Sequence, residues 1–107
     1  MGFFTPGTRG LPVETINNVP VAGTTYTVLP TDWNKQIETA SGSATTITID
    51  AASLVGVPAG AVLLVTQGGG GTVSVSGSGV TVRSTAVYAQ YVTYAFQLKA
   101  NGEVWGL

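Results

Sequence analysis

The sequence of 107 residues contains neither cysteine nor histidine. Without cysteine it has no disulfides and no thiolate metal ligands. Without histidine it lacks the usual general base and the commonest zinc ligand. Charged residues make up only 8% of the chain, and its four basic residues are too few and too scattered to neutralise a run of nucleic-acid phosphates. We therefore expect no cofactor, no metal and no nucleic-acid partner.

Long apolar runs are also missing. No run approaches the roughly 20 residues that a membrane-spanning helix needs. The N-terminus, MGFFTPGTRG, has neither the basic start nor the apolar core of a signal peptide. The sequence therefore predicts a chain made in the cytoplasm that has no membrane partner.

Carboxylates are the remaining catalytic option, because glycoside hydrolysis needs only two acids held about 5 to 10 Å apart. Of the five acids, Asp50 is typical of a helix cap, Glu103 follows a tight turn and Glu14 lies near the N-terminus. Asp32 and Glu38 are left as the only pair in adjoining segments. Six residues of extended chain would separate these two carboxylates by roughly 20 Å. The sequence therefore favours a protein that is not an enzyme.

Apolar and polar residues alternate along much of the chain from Thr24 onward. In TTITI the alternation places Ile47 and Ile49 on one side of a strand. AVLLV, residues 61–65, is apolar on both sides and is typical of a central strand. About seven or eight short strands of this kind predict an all-β fold, a single β-sandwich or jelly-roll-like domain. No repeat period is evident, so a solenoid is not expected.

The glycine run at residues 68–71 leads into a strand, not into the Gly-Lys-Ser/Thr and helix of a phosphate-binding loop. It is therefore predicted to be a hairpin loop that brings Leu64 opposite Val75, which keeps the apolar residues on one face. The Ser78–Gly79 pair predicts a second hairpin, in which Val75 lies opposite Val82.

Asn101–Gly102 predicts a hairpin at the C-terminus, because this pair is the strongest short hairpin signal. A two-residue turn would place Leu98 opposite Trp105 and Phe96 opposite Leu107. These four side chains would then form one apolar face of a core sheet.

Residues 1–23 contain three prolines and four glycines and show no sustained periodicity, which predicts an extended N-terminal arm before a β domain at residues 24–107. The arm's apolar side chains need cover, because exposing them to water is unfavourable. Their cover is either the arm's own domain or a neighbouring subunit. Both alternatives are open for the second half of the arm, whereas a neighbour is favoured for its first aromatic residues. The candidate interface residues of the arm are Phe3, Phe4, Leu11, Val13 and Ile16.

The aromatic side chains Trp33, Tyr88, Tyr91 and Tyr94 are candidates for a carbohydrate platform. Strand parity places Tyr94 inward and Tyr91 on the opposite side, with Thr93. Packing in the core is the favoured role for aromatics here, so Tyr91 is the candidate for an external or subunit contact.

Four segments of the chain, taken in order, resemble a small β domain that recurs in tailed-bacteriophage virion proteins. They are TTYTVLPTDWNKQIETASGSATTITID, PAGAVLLVTQGGGGTVSVSG, GVTVRS and the closing VWGL. The resemblance covers Thr24 to Leu107. That domain occurs in capsid decoration (cement) proteins, in head fibres and at the ends of tail fibres, so the resemblance implies a structural protein of the virion.

The chain starts at Met1 and ends within a predicted core strand, so it is expected to be a complete small gene product, which favours capsid decoration over a fibre tip. Decoration proteins use terminal segments to clamp capsid subunits and are commonly trimers. The resemblance therefore implies that the protein forms a homo-oligomer, a trimer, and binds the major capsid protein. It also implies synthesis in the host cytoplasm and a final location on the capsid exterior. A head-fibre or tail-fibre protein that binds host surface carbohydrate remains the alternative.

Overall fold

A computed structural model describes residues 18–84 and 89–107. In this part of the chain, nine strands form two sheets, and two short 3-10 helices, Pro30–Asp32 and Ala51–Leu54, lie between strands. The strands are β1 (Asn18–Val21), β2 (Thr25–Thr27), β3 (Gln36–Thr39), β4 (Thr45–Asp50), β5 (Val62–Gln67), β6 (Val73–Ser78), β7 (Val82–Arg83), β8 (Thr93–Leu98) and β9 (Val104–Gly106).

The first six strands form three stacked coils, each with one strand in each sheet. β1, β3 and β5 run parallel in one sheet, and β2, β4 and β6 run parallel in the other. Gln36 pairs with Asn18 on one side and with Leu64 on the other, so the second coil is longer than the first. The expectation against a solenoid is wrong for this half of the fold, because coils of unequal length leave no fixed period in the sequence.

The last strands enlarge only one of the two sheets. β8 pairs antiparallel with β5 and with β9, and β9 pairs parallel with β7. The result is a six-stranded sheet of order β1-β3-β5-β8-β9-β7 beside a three-stranded sheet of order β2-β4-β6. An all-β fold with mixed sheets is therefore confirmed, and AVLLV supplies a central strand as predicted.

Both sheets contribute to a single core. Ile47 and Ile49 of β4 are fully buried, in the same cluster as Leu63 and Val65 of β5. In β4 the threonines that alternate with these isoleucines lie on the outer side of the strand, as the alternation predicts.

Residues 18–21 belong to the domain, although they were predicted to lie in the arm. β1 pairs with β3, and Val21 is buried in the core. Pro20 is compatible with this strand because β1 lies at the edge of its sheet, where a missing N–H does not interrupt a ladder. The rest of the predicted arm, residues 1–17, lies outside the described residues.

The glycine run at residues 68–71 connects the two sheets and is not a hairpin. β5 and β6 lie in different sheets, so Leu64 pairs with Gln36 and not with Val75. The predicted hairpin at Ser78–Gly79 is also wrong, because β7 pairs with β9. Alternation of apolar residues is the same in a hairpin and in a coil, so the sequence pattern alone does not separate them.

Close packing between coils explains the glycines of this turn. A Cβ at Gly69 would overlap the carbonyl oxygen of Ser41, and one at Gly71 would overlap that of Ser43, both in the preceding coil. Gly71 N–H also donates a hydrogen bond of 3.1 Å to the Ser41 oxygen. The backbones of two successive turns are therefore in direct contact, which only glycine allows.

The C-terminal hairpin is present, but its register differs from the prediction by one residue. Leu98 pairs with Val104 and not with Trp105. The loop is one residue longer than predicted and ends at Gly102, which has a φ of 84°. A shift of one residue turns every side chain to the other face. Val104 is therefore buried, whereas Trp105 and Leu107, predicted in the core, are exposed.

Candidate interaction surfaces

Asp32, one of the two carboxylates considered for catalysis, has a structural role. It is buried and accepts hydrogen bonds from the Tyr26 hydroxyl at 2.6 Å and from the Leu29 N–H at 2.8 Å. Burial, followed by the hydrogen bond to Asp32, raises the pKa of Tyr26 to about 12. Glu38 lies exposed on the outer side of β3, in a different environment.

Asp50 caps the 3-10 helix Ala51–Leu54, as predicted from the sequence. Its Oδ1 accepts a hydrogen bond of 2.9 Å from the Ser53 N–H, and its own N–H donates one of 3.0 Å to Ser53 Oγ. This reciprocal pair is a capping box. Asp50 is therefore used in local structure.

Trp33 lies in the core and is not available on the surface. Its side chain is only 6% exposed, and its Nε1–H donates a buried hydrogen bond of 3.0 Å to the Ser53 carbonyl oxygen. The preference for core packing is confirmed at this position. Among the described aromatics considered for a carbohydrate platform, Tyr91 is the most exposed, whereas Tyr88 lies outside the described residues.

Tyr91 is 78% exposed, and it lies next to the end of β5. Its φ of 66° places it in the left-handed region, which is unfavourable for a residue with a bulky side chain. A hydrogen bond of 2.7 Å from the Tyr91 N–H to the Gln67 carbonyl oxygen holds this conformation. Val92 beside it is also exposed. We refer to Tyr91 and Val92 as the Tyr91 corner.

A second unfavourable feature lies directly under the Tyr91 corner. The Gln67 side chain is buried, and its Oε1 has no hydrogen-bond partner. Its Nε2 makes only a long hydrogen bond of 3.4 Å to the Gly69 carbonyl oxygen. Backbone strain and unpaired buried polar atoms are rare in proteins, and strained backbone is concentrated at functional sites. The Tyr91 corner is therefore the candidate contact site among the described residues.

A second surface feature lies on the side of the six-stranded sheet that faces away from the core. Leu64 of β5 neighbours Ala95 of β8, and the Leu107 N–H donates a hydrogen bond of 2.9 Å to the Ala95 oxygen. In the adjacent row, Val62 and Trp105 flank Gln97. The outer stripe, as we call it, consists of Val62, Leu64, Ala95, Trp105 and Leu107.

Charged neighbours fix the orientation of Trp105, which is 43% exposed. Its Nε1–H donates to Glu103 Oε1 at 3.0 Å, and Arg83 donates two hydrogen bonds to the same carboxylate, at 2.7 and 2.9 Å. Lys99 Nζ lies 5.4 Å from the ring centre. Hydrogen bonding from Arg83, with a further contribution from Trp105, lowers the pKa of Glu103 to about 2. The indole is therefore a pre-oriented aromatic surface.

The outer stripe was missed in the sequence because of the assumed two-residue turn. The signal that could have revealed it is Val104, a β-branched residue whose parity is opposite to that of Trp105. Only one of the two can face the core, and Val104 is the one that is fully buried.

The candidate interface residues of the arm are not described by the structure. Tyr91 lies among the described residues and is exposed, as expected, although it lies in the turn before β8 and not in the strand whose parity was used. Those that lie outside the described residues are Phe3, Phe4, Leu11, Val13 and Ile16.

Within residues 18–84 and 89–107, no helix is long and apolar enough to cross a membrane. The same part of the chain contains no group of three acidic side chains that could hold a metal ion.

Comparisons with known proteins gave no match. No family model matches the sequence, and neither a curated protein nor a solved structure is significantly similar to it. Function is therefore argued from the residues and from the geometry of the Tyr91 corner and the outer stripe.

Proposed function

We propose that the protein is a structural protein of a bacteriophage virion, specifically a capsid decoration (cement) protein. It binds the outer capsid surface as a homo-oligomer, a trimer, and its N-terminal arm stabilises contacts between major capsid subunits. The observation that carries the proposal is the exposed Tyr91 in a left-handed backbone conformation. Contact with another molecule accounts for a strained, displayed aromatic, because tyrosine is a frequent anchor in protein interfaces.

The position of β1 supports a role for the arm. In the sheet formed by residues 18–84 and 89–107, β1 is an edge strand, so its first residue, Asn18, lies at the periphery of that sheet. Fully extended, the 15 residues between Phe3 and Asn18 could span up to about 50 Å. That length allows Phe3 and Phe4 to reach a neighbouring subunit, where burial of their rings would add to the contact.

We also treat the domain as sandwich-like, because its two sheets share one core. A jelly-roll is the weaker description, since the first six strands run parallel within their sheets and a jelly-roll is antiparallel.

A head-fibre or tail-fibre protein that binds host carbohydrate is the second candidate. Burial of Trp33 removes one of the aromatic rings considered for that role, and Tyr91 is exposed at the surface. A glycan array with the purified protein distinguishes the two functions. Binding to a host surface glycan that is lost in Tyr91→Ala would favour the fibre.

The main experiment measures binding to shells of the phage that encodes the chain, purified without this protein. We expect the full-length protein to co-sediment with such shells. Phe3→Ser/Phe4→Ser should bind much more weakly, because the arm loses its apolar contacts. Tyr91→Asn should also bind more weakly, since asparagine tolerates the left-handed backbone but removes the ring. Val55→Asn, at another exposed apolar position, is the matched control and should bind normally.

Two results would contradict the proposal in different ways. Full-length protein that does not associate with shells rules out capsid decoration. Undiminished binding of Phe3→Ser/Phe4→Ser leaves decoration in place but removes the arm from the mechanism.

A further inference from the structure

We propose that Asn101 is a site of spontaneous deamidation, and that the negative charge formed there disturbs the network of Arg83, Glu103 and Trp105. Water is the only other reactant, so the modification needs no enzyme. It depends on the age of the protein and not on a partner. This inference does not depend on the virion role.

The reaction is an attack within the chain. The backbone nitrogen of Gly102, after losing its proton to water, bonds to the side-chain Cγ of Asn101, and the side-chain amide leaves as ammonia. Water then opens the resulting succinimide ring at one of its two carbonyl groups. One opening gives aspartate. The other gives isoaspartate, in which the main chain continues through the side-chain carbon.

Glycine at position 102 makes this attack accessible. Gly102 has no Cβ to obstruct its nitrogen, and its φ of 84° lies in the left-handed region that glycine adopts without strain. The space around it is open, because a Cβ built there would meet nothing within 4 Å. Asn101 and Gly102 are both exposed, so water can reach the ring that forms between them.

The turn also provides a hydrogen-bond donor at the reacting carbonyl group. The Glu103 N–H donates to Asn101 Oδ1 at 3.0 Å. Negative charge develops on this oxygen during the attack, and a backbone donor stabilises such charge, as in an oxyanion hole. A second hydrogen bond of 3.0 Å, from the Gly102 N–H to the Lys99 oxygen, must open before the nitrogen can react. Opening of an exposed turn requires little free energy.

The other asparagines of the described residues are followed by residues that obstruct the attack. Asn18 precedes Val19 in β1, and the branched valine side chain crowds the backbone nitrogen. Asn34 precedes Lys35, which also carries a Cβ. Both asparagines are exposed, so exposure does not distinguish them from Asn101. The following glycine does.

The new charge would form beside the groups that orient Trp105. Arg83 and Trp105 make the largest contributions to the low pKa of Glu103, and a hydrogen bond from the Asn101 side chain lowers this pKa further. Deamidation replaces that donor by a negative charge, and a like charge raises the pKa of a neighbouring carboxyl group. Lys99, near the indole ring, is the other charged neighbour. Glu103 should therefore be protonated at a higher pH after deamidation.

Peptide mapping by mass spectrometry tests the site. The full-length protein is incubated at mildly alkaline pH, below its unfolding temperature, and deamidation at each asparagine is followed with time. We expect Asn101 to react about ten-fold faster than Asn34, a difference of about 1.4 kcal/mol in activation free energy. Asn34 is the matched control, present in the same molecules. Equal rates at the two positions, or a faster reaction at Asn34, would overturn the proposal.

Two variants test the chemistry of the attack. Asn101→Gln should give no product at this position over the same period, because the longer side chain would have to form a larger ring. Gly102→Ala should slow the reaction at Asn101, since the added Cβ obstructs the nitrogen. This holds in the folded and the unfolded chain, so the result remains interpretable if alanine at this φ destabilises the turn. An unchanged rate in Gly102→Ala would refute the mechanism.

A pH titration of the Trp105 indole N–H resonance tests the consequence. The midpoint, expected near pH 2 in the unmodified protein, should shift upward in Asn101→Asp, which carries the charge of one product. Asn34→Asp is the matched control and should leave the midpoint unchanged. The same midpoint in all three proteins would show that the network does not sense the modification. None of these measurements involves shells, so this proposal and capsid decoration can fail independently.

Discussion

The two tryptophans show how differently one residue type is used in two regions of this fold. Trp33 is buried, and its indole N–H donates to a backbone carbonyl oxygen of the 3-10 helix after β4. Trp105 is almost half exposed, and its indole N–H donates to a carboxylate that is itself held by Arg83. In the first region the ring fills the core. In the second region, charged side chains orient a ring that is not part of the core.

This difference indicates where stability and recognition reside in the molecule. The Trp33 region contributes to stability through buried contacts. Substitutions there should therefore lower the free energy of unfolding. The Trp105 side chain is held in place at the surface by its neighbours. Truncating this side chain should therefore leave the core intact. Three experiments on the described residues test this contrast between buried and surface regions.

Replacing Trp33 by alanine should have the largest effect. Loss of a buried aromatic ring costs about 3 to 5 kcal/mol of the free energy of unfolding. Trp105→Ala is the matched control and should cost about 1 kcal/mol or less, because its ring is largely at the surface. Chemical denaturation measures both values. Similar losses in the two variants would show that the outer stripe is as important to the fold as the core.

A contrast of the same kind exists within the glycine turn. A Cβ at Gly71 would overlap the Ser43 backbone, whereas one at Gly70 would meet nothing within 4 Å. Gly71→Ala should therefore destabilise the protein by about 1 to 3 kcal/mol, as overpacking does, and Gly70→Ala should change stability by less than about 0.5 kcal/mol. Thermal unfolding compares the two. Equal stability would mean that the coils are not in contact at this turn.

The smallest effect should come from acidifying the Trp105 region. The pKa of Glu103 is about 2, below its ordinary value of 4.5, because Arg83 stabilises the charged form. In the folded protein the carboxylate therefore stays charged until the pH approaches 2, and the stability that the network contributes is lost as the pH falls from 4.5 towards 2. The indole N–H chemical shift of Trp105 should change with a midpoint near pH 2 and remain constant in Glu103→Gln. A midpoint near 4.5 in the unmodified protein would show that the ion pair does not form.

Local patterns predicted the strands well, because each strand must bury alternate side chains. The buried isoleucines of β4, the central position of AVLLV and the Asp50 cap all follow from residue type and spacing. Tyr91 is exposed as expected, but it lies in the turn before β8, where strand parity does not apply. Its left-handed backbone does not follow from residue type or spacing, since no local pattern around a tyrosine predicts a positive φ.

The partners of the strands could not be predicted in the same way. Val65 and Val75 face the core, and alternation within each strand is the same whether β5 and β6 form a hairpin or belong to different sheets. Leu64, which the predicted hairpin placed on the same face as Val75, lies on the outer side of β5. The glycine contacts that distinguish the two arrangements involve residues from another coil, far away in the sequence. The C-terminal register depended on a single loop residue, which moved Trp105 from the expected core to the surface.

The sequence was sufficient to predict an all-β protein with few charged residues. It was also sufficient to predict most of the residues in its core. The tertiary structure alone decided that the strands stack as parallel coils and that Trp105 faces outward. The physical reason is that burial of alternate side chains is a local requirement with a period of two, whereas pairing depends on which backbones fit together in space.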